Sequence, residues 1–150
     1  MRLYFDTSVL GALVDRDDER RLMITRGLFD IVVQGGHEAV ISNVVQEELA
    51  QAPAGLHRRI VDQLGQVEFE LVAEDRESTA LFAEYLAVRI VPARYRNDLR
   101  HVAVATVTRA DALVSWNFRH LVNVRTRRAV HAVNLRLGHP LIEIVSPEEV

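Results

Sequence analysis

Asp6, Glu48, Asp98 and Asn117 are the positions at which this 150-residue chain could do chemistry. Asp6 directly follows the apolar run Leu3-Tyr4-Phe5, at the C-terminal end of a predicted first strand. Open α/β sheets gather their ligands at that end. A carboxylate in this place has two readings, a helix cap shared with its neighbours Thr7 and Ser8 or a ligand-binding acid. Glu48 lies on a helix predicted over 43–52, which Ser42 or Asn43 can cap. At about 100° per residue, Val44, Val45, Leu49 and Ala52 define the buried arc of that helix, with Glu48 inside the arc and Glu47 outside it. There Glu48 is desolvated unless donors or a cation reach it; at the rim of the arc it would instead reach solvent from the first turn, where acids suit the helix dipole.

Asp98 stands at the head of a helix predicted over 97–109 that is apolar on most sides after its first turn, so the helix is central. Capping is the second reading of Asp98, a role Asn97 could take instead. One turn along, His101 reads as a packed or hydrogen-bonded histidine, because no second histidine sits at ligand spacing. Asn117 follows the predicted strand 112–115 much as Asp6 follows the first strand. If those strands are neighbours, both residues face one crevice. The neutral amide of Asn117 offers a carbonyl or an N–H but no charge.

Three carboxylates gathered at one edge repel one another unless a cation lies among them. Oxygen-only ligands select a hard ion such as Mg²⁺ or Mn²⁺. Such an ion makes a bound water more acidic and neutralises charge growing on a phosphate. Metal-assisted hydrolysis of a phosphodiester is the chemistry this set suits.

The elements that must position these residues are legible as apolar runs at 2–5, 39–42, 67–72, 112–115 and 141–145. Helical stretches are predicted over 18–34, 43–52, 56–65, 75–89, 97–109 and 121–136. Gly35-Gly36, Pro53-Ala54-Gly55 and Gly138-His139-Pro140 supply breaks. Alternating strands and helices predict an α/β fold with a parallel sheet covered on both faces. With no internal repeat or long linker, residues 1–150 read as a single domain.

Composition narrows the chemistry further. The chain has no cysteine, which removes disulfides, zinc-thiolate sites and thiol nucleophiles. All 18 basic residues are arginine. Without lysine there is neither a Walker A loop nor Schiff-base catalysis, and a phospho-acceptor receiver domain, which also places an aspartate after a strand, lacks the lysine it requires. Neither a signal peptide nor a run able to cross a bilayer is visible, so no membrane partner and a cytoplasmic location are expected. The formal charge of −3 excludes a uniform basic field. Between Arg109 and His139, however, six arginines stand against the single acid Asp111. That stretch is either a solvated face or a phosphate-binding surface.

The segments Asp6-Thr7-Ser8-Val9-Leu10, Ser42-Asn43-Val44-Val45-Gln46-Glu47-Glu48-Leu49, Asp98-Leu99-Arg100-His101-Val102-Ala103-Val104-Ala105-Thr106 and Ala112-Leu113-Val114-Ser115-Trp116-Asn117-Phe118 resemble, in order and spacing, the PIN-domain proteins of the VapC-toxin type, in the subgroup with Ser-Trp-Asn-Phe. The resemblance spans nearly the whole chain. It implies a three-layer α/β/α sandwich with a central parallel sheet and a Mg²⁺- or Mn²⁺-dependent endoribonuclease, the toxin of a type II toxin–antitoxin pair. RNA would be its substrate, a cognate antitoxin its partner and a homodimer its assembly. By motif match, Asp6, Glu48 and Asp98 are the metal-binding acids, Asn117 joins them as a catalytic position, and Thr7 or Ser8 fixes the first loop. Arg119, His120, Arg125, Arg127 and Arg128 are then candidates for phosphate contact. Many members carry an aspartate where this chain has Asn117. That departure supports an alternative, a weakly active or inactive PIN-fold module that binds RNA or protein.

Overall fold

The computed structural model describes residues 1–150 as β1 (Arg2–Phe5), α1 (Thr7–Ala12), α2 (Glu19–Val33), β2 (Glu38–Ser42), α3 (Asn43–Gln51), α4 (Ala54–Leu64), β3 (Phe69–Val72), α5 (Arg76–Ala87), α6 (Arg96–Val107), β4 (Ala112–Val114), α7 (Val124–Leu137) and β5 (Glu143–Val145). The strands form one five-stranded sheet in the order β3-β2-β1-β4-β5, and every pairing is parallel. From β1 the chain builds outward to β2 and β3, then returns to the other side of β1 with β4 and β5. The order therefore reverses between β1 and β4, which makes the C-terminal ends of these two strands the switch point of the sheet.

Strand side chains alternate between the faces, and the core divides accordingly. Tyr4, Val40, Leu113 and Ile144 pack against α5, α6 and α7 in one apolar cluster. Leu3, Phe5, Ala39 and Val114 pack against α1 to α4 in another. Strands buried on both sides need near-continuous apolar sequence, as the runs at 2–5 and 112–115 have. The edge strand β3 is only partly covered, and its Glu70 is paired with Arg2. No helix is long and apolar enough to cross a membrane.

Local chemistry sets the boundaries. Strand β3 starts two residues later than the apolar run, because the Val67 amide still donates to Leu64 at the end of α4. The Ile142 carbonyl is taken by His131 rather than by the ladder, and β5 begins after it. Helix α7 starts at Val124 rather than 121, because Asn123 caps it through Thr126 while its amide donates to the Phe118 and Arg119 carbonyls. Helix α6 starts at Arg96, continuing a 3₁₀ turn over Ala93–Tyr95, and has no side-chain cap. Asn97 and Asp98 thus lie inside its first turn, and neither caps it. The short helix α1 was not among the predicted elements.

Candidate active site

Asp6 terminates β1 and begins α1. Its Oδ1 accepts hydrogen bonds from the Ser8 amide at 3.0 Å, the Ser8 hydroxyl at 2.6 Å and the Val9 amide at 3.3 Å. Its Oδ2 accepts from Ser115 Oγ at 2.6 Å. The capping reading is therefore correct. It does not exhaust the residue, because the carboxyl is 4% exposed at the switch point and is tied to the end of β4 as well as to α1. Ser8 also accepts from the Trp116 amide at 2.9 Å, joining the first loop to the turn after β4. Ser8 fixes that loop, while Thr7 serves another acid.

Glu48 lies inside the arc expected of it, and Glu47 outside, where it pairs with Arg100 at 3.0 Å. Ser42 provides the α3 cap, accepting from Val44 N. Glu48 Oε1 accepts from Thr7 Oγ1 at 2.9 Å and meets His101 Nε2 at 2.5 Å. The other ring nitrogen of His101 is 2.7 Å from the Tyr4 hydroxyl, itself 2.6 Å from Ser42 Oγ. A line of hydrogen bonds thus runs Ser42–Tyr4–His101–Glu48 through the sheet and two helices. With Glu48 ionised, Nε2 of His101 is the donor. His101 is a hydrogen-bonded histidine, as its isolation in sequence suggests.

Asp98, from α6, turns toward the segment after β4. Its Oδ2 accepts from Asn117 Nδ2 at 3.1 Å and meets His120 Nδ1 at 3.0 Å. Asn117 Oδ1 accepts from the His120 amide, and the Asn117 amide donates to Ser115 Oγ. The His120 ring stacks on Tyr95 with centroids 4.0 Å apart. Asn117 and Asp6 do lie at the ends of adjacent strands, and both are bonded to Ser115. The amide of Asn117 spends its donor and acceptor on holding Asp98 and His120.

Burial pushes the Asp6 carboxyl above the ordinary range, opposed by the charge of His101 and the hydroxyls of Ser115 and Ser8. Asp98 is likewise raised by burial, opposed by His120 and His101, and the neighbouring charge of Asp6 raises it further. For Glu48 burial acts in the same direction but is outweighed by the His101 hydrogen bond and charge, by Thr7 and by Arg100, so its carboxyl is lowered. Two desolvated acids, one of which feels the other, suit a hard divalent cation in charge and in donor type. As the side chains stand, each is engaged with internal donors, and no three Asp, Glu or His groups converge as a ligand set.

The other expected positions separate. His120 is buried against Asp98, and Arg127 is engaged by the Ile144 carbonyl and by Glu149. Arg119 and Arg128 are exposed. Arg125 lines a separate cavity with Arg89 and Pro92, which shares no residue with the cavity beside Asn117. Tyr4 and Ser115 belong to the site without having been singled out from sequence, and Ser42, expected only as a helix cap, joins it through Tyr4. All three are polar groups within apolar strands or at their ends, the signal that could have marked them.

A crystal structure of VapBC2 from Rickettsia felis bound to a DNA fragment from its promoter is similar over 97% of this chain and 98% of that chain, with a TM-score of 0.64 and 13% identity. DNA-bound VapBC from Salmonella typhimurium is similar over 98% of both chains, with a TM-score of 0.63 and 15% identity. The likeness is one of fold, a central parallel sheet between helical layers, and the expected PIN-like α/β/α architecture holds. No protein-family profile and no curated protein matches the chain.

Proposed function

We propose that the chain is a Mg²⁺- or Mn²⁺-dependent endoribonuclease, acting as the toxin of a toxin–antitoxin pair. The observation that carries this reading is that two carboxylates withdrawn from water, Asp6 at the switch point of the parallel sheet and Asp98 in the first turn of α6, lie near enough for the charge of Asp6 to raise Asp98, with Glu48 on α3. Asp6, Glu48 and Asp98 would hold the ion, which when bound supplies a more acidic water and neutralises phosphate charge. The chain's own groups orient the acids: Ser8 and Ser115 fix Asp6, His101 and Thr7 fix Glu48, and Asn117 and His120 fix Asp98. The fold shared with chains from VapBC assemblies supports a cognate antitoxin as partner, and a homodimer belongs to the same reading.

The test compares wild type, Asp6→Asn and Asp98→Asn on tRNA, rRNA and messenger substrates with Mg²⁺ or Mn²⁺. Cleavage by the wild type alone is expected; equal cleavage by all three overturns the assignment. A second reading, a PIN-fold binding module with little hydrolysis, is favoured by Asn117, whose amide brings no charge. Calorimetric titration with Mn²⁺ separates the two, since tight binding without cleavage of any RNA selects the module.

A further inference from the structure

The helices that carry Glu48 and Asp98 are joined twice. Glu47 and Glu48 are neighbours on α3, and Arg100 and His101 are neighbours on α6. Successive helical residues leave the axis about 100° apart, so each pair points in two directions. The inner members meet in the interior, Glu48 Oε1 against His101 Nε2 at 2.5 Å. The outer members meet nearer the surface, Glu47 Oε2 against Arg100 Nη2 at 3.0 Å. A single contact would leave α3 free to roll about it, whereas two contacts in different directions hold both its distance and its rotation.

The outer join is not an isolated surface ion pair. Arg100 also grips Glu74, between β3 and α5, with Nε on Oε1 at 2.7 Å and Nη2 on Oε2. Asn43, the first residue of α3, donates to Glu47 Oε1 at 2.9 Å and to Glu74 Oε2 at 2.9 Å, and accepts from the Glu74 amide at 2.8 Å. Arg100, Glu74, Asn43 and Glu47 thus close a ring across three segments of the chain. A two-pronged arginine–carboxylate contact fixes direction as well as distance. The side chains of Arg100 and Glu74 are 19% and 21% exposed, and a networked pair of this geometry holds better than an isolated exposed one. The Arg100 hydrogen bond, helped by Asn43 and opposed by burial, keeps the Glu74 carboxyl below its ordinary range.

The ring bears on the free half of each acid. Glu48 takes the bonds of Thr7 and His101 on Oε1, and Asp98 takes those of Asn117 and His120 on Oδ2. Oε2 of Glu48 and Oδ1 of Asp98 are left to a ligand, on two helices whose relative placement the ring fixes. We propose that Arg100, with Glu74, Asn43 and Glu47, is a positioning clamp that holds α3 against α6 so that Glu48 and Asp98 can share one divalent cation, without itself touching the ion. For the ion this rests on the nuclease reading, whereas the hold on Glu48 belongs to the chain alone.

The experiment pairs calorimetric titration with Mn²⁺ and proton NMR in EDTA, where the His101 Nε2 proton, shielded against Glu48, gives a slowly exchanging downfield resonance. Wild type is compared with Arg100→Ala, Glu74→Ala, the double variant and Arg136→Ala, which breaks the exposed Arg136–Glu84 pair between α7 and α5. Arg100→Ala and Glu74→Ala should each weaken Mn²⁺ binding about 10-fold, as loss of an outer partner of a metal ligand does, and should lose the resonance. The double variant should bind no more weakly than the weaker single one, since the two residues act as a unit. Arg136→Ala should match wild type in both readouts. Thermal melts in EDTA show which variants are folded, and if Arg100→Ala is not, Glu74→Ala decides alone. Unchanged affinity or a retained resonance in the ring variants overturns the clamp, and so does an equal loss in Arg136→Ala. Weakening by Arg100→Ala but not by Glu74→Ala also overturns it, because Glu74→Ala leaves the guanidinium charge in place. If wild type takes up no Mn²⁺, the nuclease reading falls and the resonance decides the clamp: its loss in the ring variants sustains the hold on Glu48, and its retention removes that too.

Discussion

The hydroxyl of Tyr4, on the central strand, lies 2.7 Å from Nδ1 of His101 on α6, and through this contact the middle of the sheet sets the orientation of the histidine that grips Glu48. Both partners are buried, so removing the hydroxyl leaves the His101 ring nitrogen without a partner away from water and Ser42 Oγ with the Val44 amide alone.

Tyr4→Phe preserves the ring packing and deletes only that link. The expected loss is about 1–3 kcal/mol of stability, the cost of unsatisfied buried polar groups, read from the urea midpoint. In the cleavage assay kcat should fall while KM stays near wild type, since Glu48 is disturbed and the exposed surface is not. A change in KM alone would show that the link serves binding.

The raised carboxyl of Asp98 has a consequence for stability. Burial, with the Asp6 charge adding to it, lifts its folded-state pKa above the unfolded one. Its contribution to stability is therefore fully present below the unfolded carboxyl range and lost as pH rises through the raised value. Asp98→Asn keeps an acceptor for Asn117 and His120 but removes the charge. In EDTA the variant should melt higher than wild type on the alkaline side of neutrality, with the gap closing in acid. An equal or lower Tm at alkaline pH would contradict this account.

Ser115→Ala removes a donor to Asp6 Oδ2 and the acceptor of the Asn117 amide. Losing a hydrogen bond to the ionised form raises a carboxyl's pKa, and Asp6 is already raised by burial. The acid limb of the pH–rate profile should move to higher pH, and Ser115→Thr, which keeps the hydroxyl, should return it. An unmoved limb in the alanine variant would mean that Asp6 does not control it.

Tyr85 is held apart from the site, its hydroxyl donating to Asn134 at 2.6 Å. Burial pushes its pKa up to about 12. Tyr85→Phe should leave the tyrosinate absorbance unchanged below about pH 11, since an ordinary tyrosine ionises near 10. A loss of absorbance on the acid side of that value would show that the ring is accessible.

The sheet was legible because doubly buried parallel strands need unbroken apolar runs, and Leu3 to Phe5 and Ala112 to Val114 supply them. Glu48 was legible because helical periodicity distinguishes it from Glu47. Helix α1 was not, since its six residues span too few turns to show a period, and Asp6 read equally well as cap or acid because it serves as both partner and cap. The start of α6 was legible to within one residue, but not its lack of a side-chain cap, because the 3₁₀ turn before it already supplies the Ala93 carbonyl to the Arg96 amide. His120 and Arg127 resembled surface cations in sequence. Their partners, Asp98, Ile144 and Glu149, lie 22, 17 and 22 residues away, and nothing local announces those pairings.

The place of β1 in the sheet also fixes an order of events during synthesis. Its first neighbour, β2, is made soon after it, but its other flank waits for β4, with Leu3 pairing to Ala112. Asp6 and Ser115 are separated by 109 residues. A nascent chain therefore carries Asp6 without its Ser115 partner until β4 and the turn after it have been made. A chain interrupted before β4 lacks the strand that pairs with β1 and both Ser115 and Asn117, so it cannot make the contacts that tie Asp6 and Asp98 to that side.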